Sequence, residues 1–443
     1  MGDRISELAI PLIAVGTLHA SAAQVSWLTA LVWAPNLLAV LLGAWVDRRV
    51  GKRALMVAAD VVRAVLLLTV PAAALLGVLS LGQLYAVALL TGLAGVVFTT
   101  AYPSFFTRLV PASSYVDANS KLSASRSLSF VAGPALGGGL VQLLTAPVTL
   151  AADALSFLAS ALFIAPIRVP EPPAARTGPT RLMSDAREGL AHVLRHPVLR
   201  AGLGCTTTVN FFTFLTGTGL LVLFADRDLG LSPGLIGSVF GLGAVGGLLG
   251  AVGAPAISRL IGVGRSIAVG AVLFPAPLAL VWAAQGPLWV RAGVLAAACA
   301  LSSFGVMLFD VNLNSVQVGA TPDALRSRIA GAYTTVNYGI RPLGALAGGG
   351  LATFIGLRGT LTVAAVGGAL SVLWLLPSPI PRIRTLQTAT PAAETAATTE
   401  EGRGRAPEGF DTATRAYTLL QPDTAARART QRSGPATSPA SPS

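Results

Sequence analysis

Long apolar blocks alternate with short, basic, polar connections along most of this chain. Val25–Val46 contains no charged residue, and neither does Leu128–Ala152. Blocks of about 20 apolar residues are what an α-helix needs to cross a hydrocarbon core at 1.5 Å per residue. The pattern predicts twelve such spans: Ile5–Leu18, Val25–Val46, Ala54–Val78, Leu81–Tyr102, Leu128–Leu144, Pro147–Ile167, Val198–Ala225, Leu235–Ile257, Ser266–Ala284, Leu288–Val311, Gly331–Ile355 and Thr360–Leu376. A polar stretch, Arg168–His196, separates the sixth from the seventh. Beyond Pro381 the chain turns rich in Ala, Thr, Pro, Ser and Arg, a composition that predicts disorder. The expected fold is an all-α membrane protein of about twelve transmembrane helices in two six-helix halves. Residues 1–167 form the first half, 168–197 a central loop, 198–381 the second half and 382–443 a disordered tail.

One offset relates the halves. Ser21 matches Ser232 and Val25 matches Ile236; Arg48 matches Arg259, Gly51 matches Gly262 and Pro111 matches Pro322. Gly137-Gly138-Gly139-Leu140 matches Gly348-Gly349-Gly350-Leu351, and Pro166 and Pro170 match Pro377 and Pro381, every pair 211 positions apart. A six-plus-six parallel repeat places a substrate path between the halves, near the bilayer midplane. The offset also sets position 1 against position 212, about 14 residues inside a span that begins near Val198 (212 − 198). Ile5–Leu18 would rise only about 21 Å, short of a core of roughly 30 Å. The expectation is a truncated first helix in a chain that starts late; a tilted or re-entrant first helix is the alternative.

Composition agrees with this picture. Of 443 residues, 53% are hydrophobic and 11% charged, where a soluble protein carries about 25% charge. The net charge of +12 would suit nucleic acid, but the charges sit in the connections between spans. Even-to-odd connections hold nearly all the Arg and Lys, including Arg48, Arg49, Lys52, Arg53, Arg108, Lys121, Arg126, Arg259, Arg265, Arg326 and Arg328. The alternate connections hold only Arg227, Arg291 and Arg358. The positive-inside rule then predicts a multi-pass protein of the cell (inner) membrane with both termini cytoplasmic. Cys205 and Cys299 lie in apolar blocks without metal-ligand spacing, and the three histidines are scattered. No glycine-rich phosphate loop and no catalytic constellation is present, so no cofactor, metal or enzymatic activity is expected.

Two motifs carry more. The second span ends in Gly43-Ala-Trp-Val-Asp47-Arg48-Arg49-Val50-Gly51-Lys52-Arg53. Gly43 permits close helix approach, Asp47 offers an acceptor at the membrane edge, and the basic residues hold the loop inside. The stretch resembles the signature loop of the major facilitator superfamily, with one extra residue between the Asp-Arg pair and the glycine. In that family the loop is a conformational latch between the second and eleventh spans, and the resemblance implies that role for Asp47 and Arg48. A plain basic loop is the alternative. The second copy, Ser258-Arg259-Leu260-Ile261-Gly262, has lost the acid. The fifth span carries Gly133-Pro134-Ala135-Leu136-Gly137-Gly138, similar to the antiporter motif of that family, although Ser129 replaces its usual preceding glycine. Glycine-rich packing without directional meaning is the competing reading.

Ionisable residues inside apolar spans are costly and mark candidate sites. Asp3, Arg4 and Glu7 come first; Asp3 and Glu7 share a helix face, where a carboxyl could carry a proton. If span one is not extended upstream, all three are solvated terminal charges. Asp60 and Arg63, three apart, are expected to pair, with gating as the rival role. Asp153 lines a cavity or its mouth. Asp310, near Asn312 and Asn314, is either a polar helix end or a site. Arg341, one turn after Asn337, needs an acid, with Asp47 or Asp310 as partner, and Asn210 with Thr206–Thr208 gives the seventh span a polar face. Ser184–Leu194 reads as a short amphipathic helix on the membrane surface.

Gly2-Asp3-Arg4 through Glu7, Asp60-Val-Val-Arg63 and Arg187-Glu188-Gly189-Leu190 together resemble the superfamily branch of enterobactin-exporter-like and macrolide or tetracycline efflux proteins, over roughly residues 2–380. The resemblance implies an exporter working by alternating access, and a monomer is expected. Protons would move inward as a small amphiphilic molecule leaves, with the lipid bilayer as its surroundings. An importer or facilitator of the same fold, or a non-transporting sensor or scaffold, are the alternatives.

Overall fold

The computed structural model describes residues 2–47, 49, 51–111, 114–167, 179–321 and 325–385. Those residues form α1 (Gly2–Gly16), α2 (Ala22–Trp33), α3 (Ala39–Asp47), α4 (Lys52–Leu75), α5 (Leu81–Leu109), α6 (Tyr115–Leu144), α7 (Ala146–Ile164), α8 (Pro179–Arg195), α9 (Pro197–Arg227), α10 (Pro233–Ile261), α11 (Val263–Leu273), α12 (Leu288–Ala320) and α13 (Arg326–Ala369). Among the described residues, eight helical stretches are long and apolar enough to cross a membrane, and two shorter apolar ones, Ile5–Gly16 and Ala132–Leu144, accompany them. The tail from residue 386 onward lies outside the described residues.

Local chemistry explains the breaks. Ser21 caps α2 in a capping box, its backbone N–H donating to Gln24 Oε1 at 2.8 Å. Pro35 then interrupts the second span, which continues as a 3-10 turn, Ala34–Leu38, before α3. Pro275 and Pro277 do the same to the ninth span, turning α11 into a 3-10 stretch at Ala276–Ala283. α13 holds both the eleventh and twelfth spans, joined at a kink at Gly356. Several helices overrun their apolar spans, and α6 starts at Tyr115 rather than Leu128. Its first turns carry the exposed Asp117–Lys121 pair, 2.8 Å apart; hydropathy reports only the part of a helix that lies in hydrocarbon. The amphipathic helix is likewise longer than expected and packs on protein. Val193 of α8 is fully buried, and Glu188 pairs with Arg328 at 2.6 Å.

The repeat is written into the backbone. The turn between α1 and α2 is closed by Ala20 N–H donating to the Ala14 carbonyl at 2.8 Å. Leu231 and Ala225, each 211 positions on, make the same bond at 2.9 Å. Among the described residues, two that are not glycine have positive φ, His19 at 50° and Thr145 at 90°. Their repeat equivalents are glycines with positive φ, Gly230 at 66° and Gly356 at 74°. Left-handed backbone costs an L-residue of this kind about 1–3 kcal/mol. His19→Gly and Thr145→Gly are therefore expected to raise stability by up to about 1 kcal/mol after the glycine's own unfolded-state entropy is subtracted. Thermal unfolding of the detergent-purified protein checks this.

The basic connections, with Arg49, Lys52, Arg53, Arg259 and Arg265, lie at one end of the bundle, here the basic end. The turns at His19 and Gly230 lie at the opposite end. There the halves meet along two seams of small residues. A Cβ on Gly138 of α6 would stand 2.5 Å from the Gly237 Cα of α10, and one on Gly349 of α13 would stand 2.5 Å from the Ser26 Cβ of α2. Gly349 is Gly138 plus 211, and Gly237 is Ser26 plus 211. One contact is thus made twice, related by a two-fold axis. Arg227 adds a bond across the same end, donating from Nη2 to the Ala20 carbonyl at 2.9 Å.

Buried apolar residues follow this division. One cluster at the opposite end draws on both halves, from Leu8 and Val25 to Leu220, Ile236 and Leu361. Towards the basic end, the described residues fall into two separate clusters, one around Met56 and Phe105 and the other around Leu199, Phe309 and Tyr333. The buried apolar core is shared between the halves at one end and divided between them at the other.

Candidate functional site

The divided region holds a cavity of about 780 Å³, within the usual range for small-molecule sites. Both halves line it, with Glu7 and Ile10 of α1, Trp33 of α2, Arg63 of α4, Phe214 and Thr218 of α9 and Met307 of α12 on the wall. Ser125 of α6 and Ala251 of α10 also border it, whereas the same two helices touch at Gly138 and Gly237. α6 and α10 therefore splay apart towards the basic end.

Glu7 marks the centre of this arrangement. Thr218 Oγ1 donates to Glu7 Oε1 at 3.3 Å, and the two positions are 211 apart. Equivalent positions of a two-fold repeat can touch only near the axis, so Glu7 stands on the seam between the halves. The side chains of Asp3 and Arg4 lie outside the described residues.

Arg341 of α13 lies against the same wall. Its guanidinium carbon is 4.2 Å from the Trp33 ring centre, 4.2 Å from that of Tyr338 and 4.8 Å from that of Phe214. Its Nε donates to Asn210 Oδ1 at 3.1 Å, and Asn210 is aimed by its own Nδ2 donating to the Thr206 carbonyl at 2.9 Å. The carboxylates of Asp310 and Glu7 act on this cation through space. The described hydrogen bond of Arg341 therefore goes to an amide oxygen rather than to a carboxylate. Asn337, one turn away, accepts from Thr207 Oγ1 at 3.3 Å.

The first half holds a second set of polar side chains. Asp153 is fully buried and accepts from Ser6 of α1 and from Ser156 Oγ at 3.1 Å. It therefore ties α1 to α7 rather than lining the mouth. Asp60, also buried, accepts from Ser160 Oγ at 2.6 Å. Arg63 reaches the Thr91 carbonyl at 3.4 Å and lies over the Phe157 ring at 4.6 Å.

The loop after α3 is anchored by its glycine and its basic residues. Gly51 takes φ of 93° as the cap of α4, the buried Lys52 donates to the Val46 carbonyl, and Arg53 donates to the Ala165 carbonyl at 2.9 Å. Gly43 faces Thr100 of α5. The side chain of Asp47 and the whole of Arg48 lie outside the described residues. In the second copy, Gly262 (φ 92°) follows Arg259 at the end of α10, and Val263 N–H donates to the Arg384 carbonyl at 3.2 Å. In the fifth span, Gly133 is buried, Pro134 places its carbonyl against Gly237, and Gly137 meets Ile5 of α1. Gly137 and Gly138 thus pack α6 against its own half and against the other half.

The family model described as the Major Facilitator Superfamily matches residues 1–345. The chain belongs to that superfamily. Among curated members, the multidrug efflux pump Tap of Mycolicibacterium fortuitum is 28% identical over 378 residues, covering 80% of this chain and 87% of that protein. The pump of the same name from Mycobacterium tuberculosis H37Rv is 27% identical over 377 residues, covering 82% and 87%. Solved transporter structures share the fold. The nucleoside transporter NupG gives a TM-score of 0.61 at 16% identity, covering 84% of this chain and 96% of that one. A bacterial homologue of the iron transporter ferroportin in its inward-facing state gives 0.60 at 17%, covering 85% and 95%. The protein is accordingly a multi-pass membrane transporter.

Sequence reasoning named Glu7, Arg63, Asn210 and Arg341 but missed Trp33, Phe214, Tyr338 and Thr218. Aromatic residues in an apolar span look lipid-facing until the helices are packed. Thr218 was reachable, because adding 211 to Glu7 points at it.

Proposed function

We propose that this transporter is a proton-coupled exporter of small amphiphilic molecules, working by alternating access. The observation that carries the reading is the cavity on the two-fold axis, with the Glu7 carboxylate on the seam. It is closed by small-residue contacts at one end and splayed at the other. A two-fold repeat can rock about such an axis so that seams open at one end as they close at the other. An intramembrane carboxylate at the pivot is well placed to exchange a proton against a bound molecule. The predominantly apolar wall suits an amphiphile, and the relatives named as multidrug efflux pumps support outward transport.

In this reading the basic end faces the cytoplasm by the positive-inside rule, so the cavity opens inward. Residues 1–167 and 198–381 are the rocking halves, 168–197 bridges them, and the protein acts as a monomer in the cell membrane. The test is transport by everted membrane vesicles of a panel of dyes, antibiotics and siderophores, with and without an imposed proton gradient. Accumulation that requires the gradient supports the proposal. Accumulation indifferent to it points to a facilitator, and none of any compound points away from transport of this class.

A further inference from the structure

The surroundings of Arg341 are those of a cation site. Three ring faces, from Trp33, Tyr338 and Phe214, stand 4.2–4.8 Å from its guanidinium carbon. Asn210 adds a carbonyl oxygen, and the carboxylates of Asp310 and Glu7 add negative potential. Ring faces are negative at their centres, and cages of this kind select ammonium-type cations.

Arg358 shows the contrast. It too lies near two rings, Phe224 and Trp282, but at 5.6 and 6.0 Å, and its Nη groups donate to the Val281 and Ala284 carbonyls. None of those residues lines the cavity. That arginine clasps backbone at a helix end. Among the described residues, the one hydrogen bond of Arg341 runs through Nε, so its Nη groups are not tied to a protein acceptor. Trp33 and Phe214, moreover, present themselves to the cavity as well as to Arg341.

We propose that the Trp33–Phe214–Tyr338 cage is a cation subsite of the cavity that Arg341 fills as a resident pseudo-ligand, and that the transported molecule is an aromatic amphiphile with one positive charge that takes the guanidinium's place. The substrate class rests on the export reading; the subsite itself is a binding property. The consequence runs against ordinary intuition: deleting Arg341 strengthens binding, because the competitor is removed while rings, amide and carboxylates stay.

The experiment is equilibrium dialysis of the purified full-length protein with tetraphenylphosphonium, and with triphenylphosphine oxide as its uncharged counterpart. Arg341→Ala is expected to bind tetraphenylphosphonium about tenfold tighter than the parent, roughly one well-formed cation–π contact, and the oxide unchanged. Adding Trp33→Ala should abolish the gain, and Arg358→Ala should leave affinity at the parental value. If Arg341→Ala fails to give a monodisperse protein, Arg341→Met carries the same expectation with the side-chain bulk kept. Unchanged or weaker cation binding by the folded variant overturns the proposal. So does a gain that survives Trp33→Ala, which would mark a general change in potential. Tighter cation binding in a protein that moves nothing under a proton gradient would overturn the export reading and leave the subsite standing.

Discussion

Gly138→Ala is expected to abolish transport and to leave the end opposite the basic loops open. The new Cβ would lie 2.5 Å from Gly237 Cα and 2.8 Å from both Gly237 N and the Pro233 carbonyl. All three are backbone atoms of α10, with no rotamer to move aside, so the seam must part by about 1 Å to reach ordinary contact at 3.5–4.0 Å. The contacts of α6 within its own half are untouched, so folding should survive while closure fails. Gly237→Ala should behave the same way, since it meets Gly138 Cα at 2.5 Å. Gly139→Ala is the control, with nothing within 4 Å of its Cβ. Spin labels at the exposed residues Val78 and Gln285, both at that end, should report a longer distance in Gly138→Ala and the parental distance in Gly139→Ala. Parental distances and transport in both would show that the seam is not the gate.

Glu7→Gln is expected to reduce gradient-driven accumulation to the level seen without a gradient, while downhill exchange of the same compound continues. Glutamine keeps the length of the side chain and an acceptor for Thr218 Oγ1, which stands 3.3 Å away. What it loses is the ability to gain and release a proton. Because Glu7 sits where the two halves touch at equivalent positions, its charge state bears on both conformations that the rocking interconverts. Paired measurements of driven uptake and of exchange in everted vesicles separate the two effects. Loss of both would mean that Glu7 holds the fold or the substrate; retention of both would move proton coupling elsewhere, with Asp310 the next carboxylate to replace.

The spans and the repeat were legible because the membrane imposes them. A helix that crosses hydrocarbon needs a minimum apolar length, and a two-fold fold must repeat its turns, so Ser21 and Ser232 or Gly51 and Gly262 reveal the offset by eye. Where chemistry drifted, the offset still held: His19 and Thr145 keep the left-handed backbone of Gly230 and Gly356. The site was legible only in its charges. Glu7, Arg63 and Arg341 stood out because charge is rare in a span, but their partners did not. The spacing of Asp60 and Arg63 suggested a local pair but gave no sign of the longer reach to Ser160 on α7 and Thr91 on α5. Asp153 read as lining a cavity or its mouth, and packing buries it against Ser6.

Apolar period, basic loops and an internal offset of 211 therefore determined, from the sequence alone, a membrane bundle of two related halves. The tertiary structure alone decided which small residues become seams, which aromatic rings turn from lipid towards Arg341, and which end is parted. Hydrocarbon and a protein interior attract the same apolar side chains, so a sequence cannot say which of the two a given face will meet; only helix packing distinguishes them.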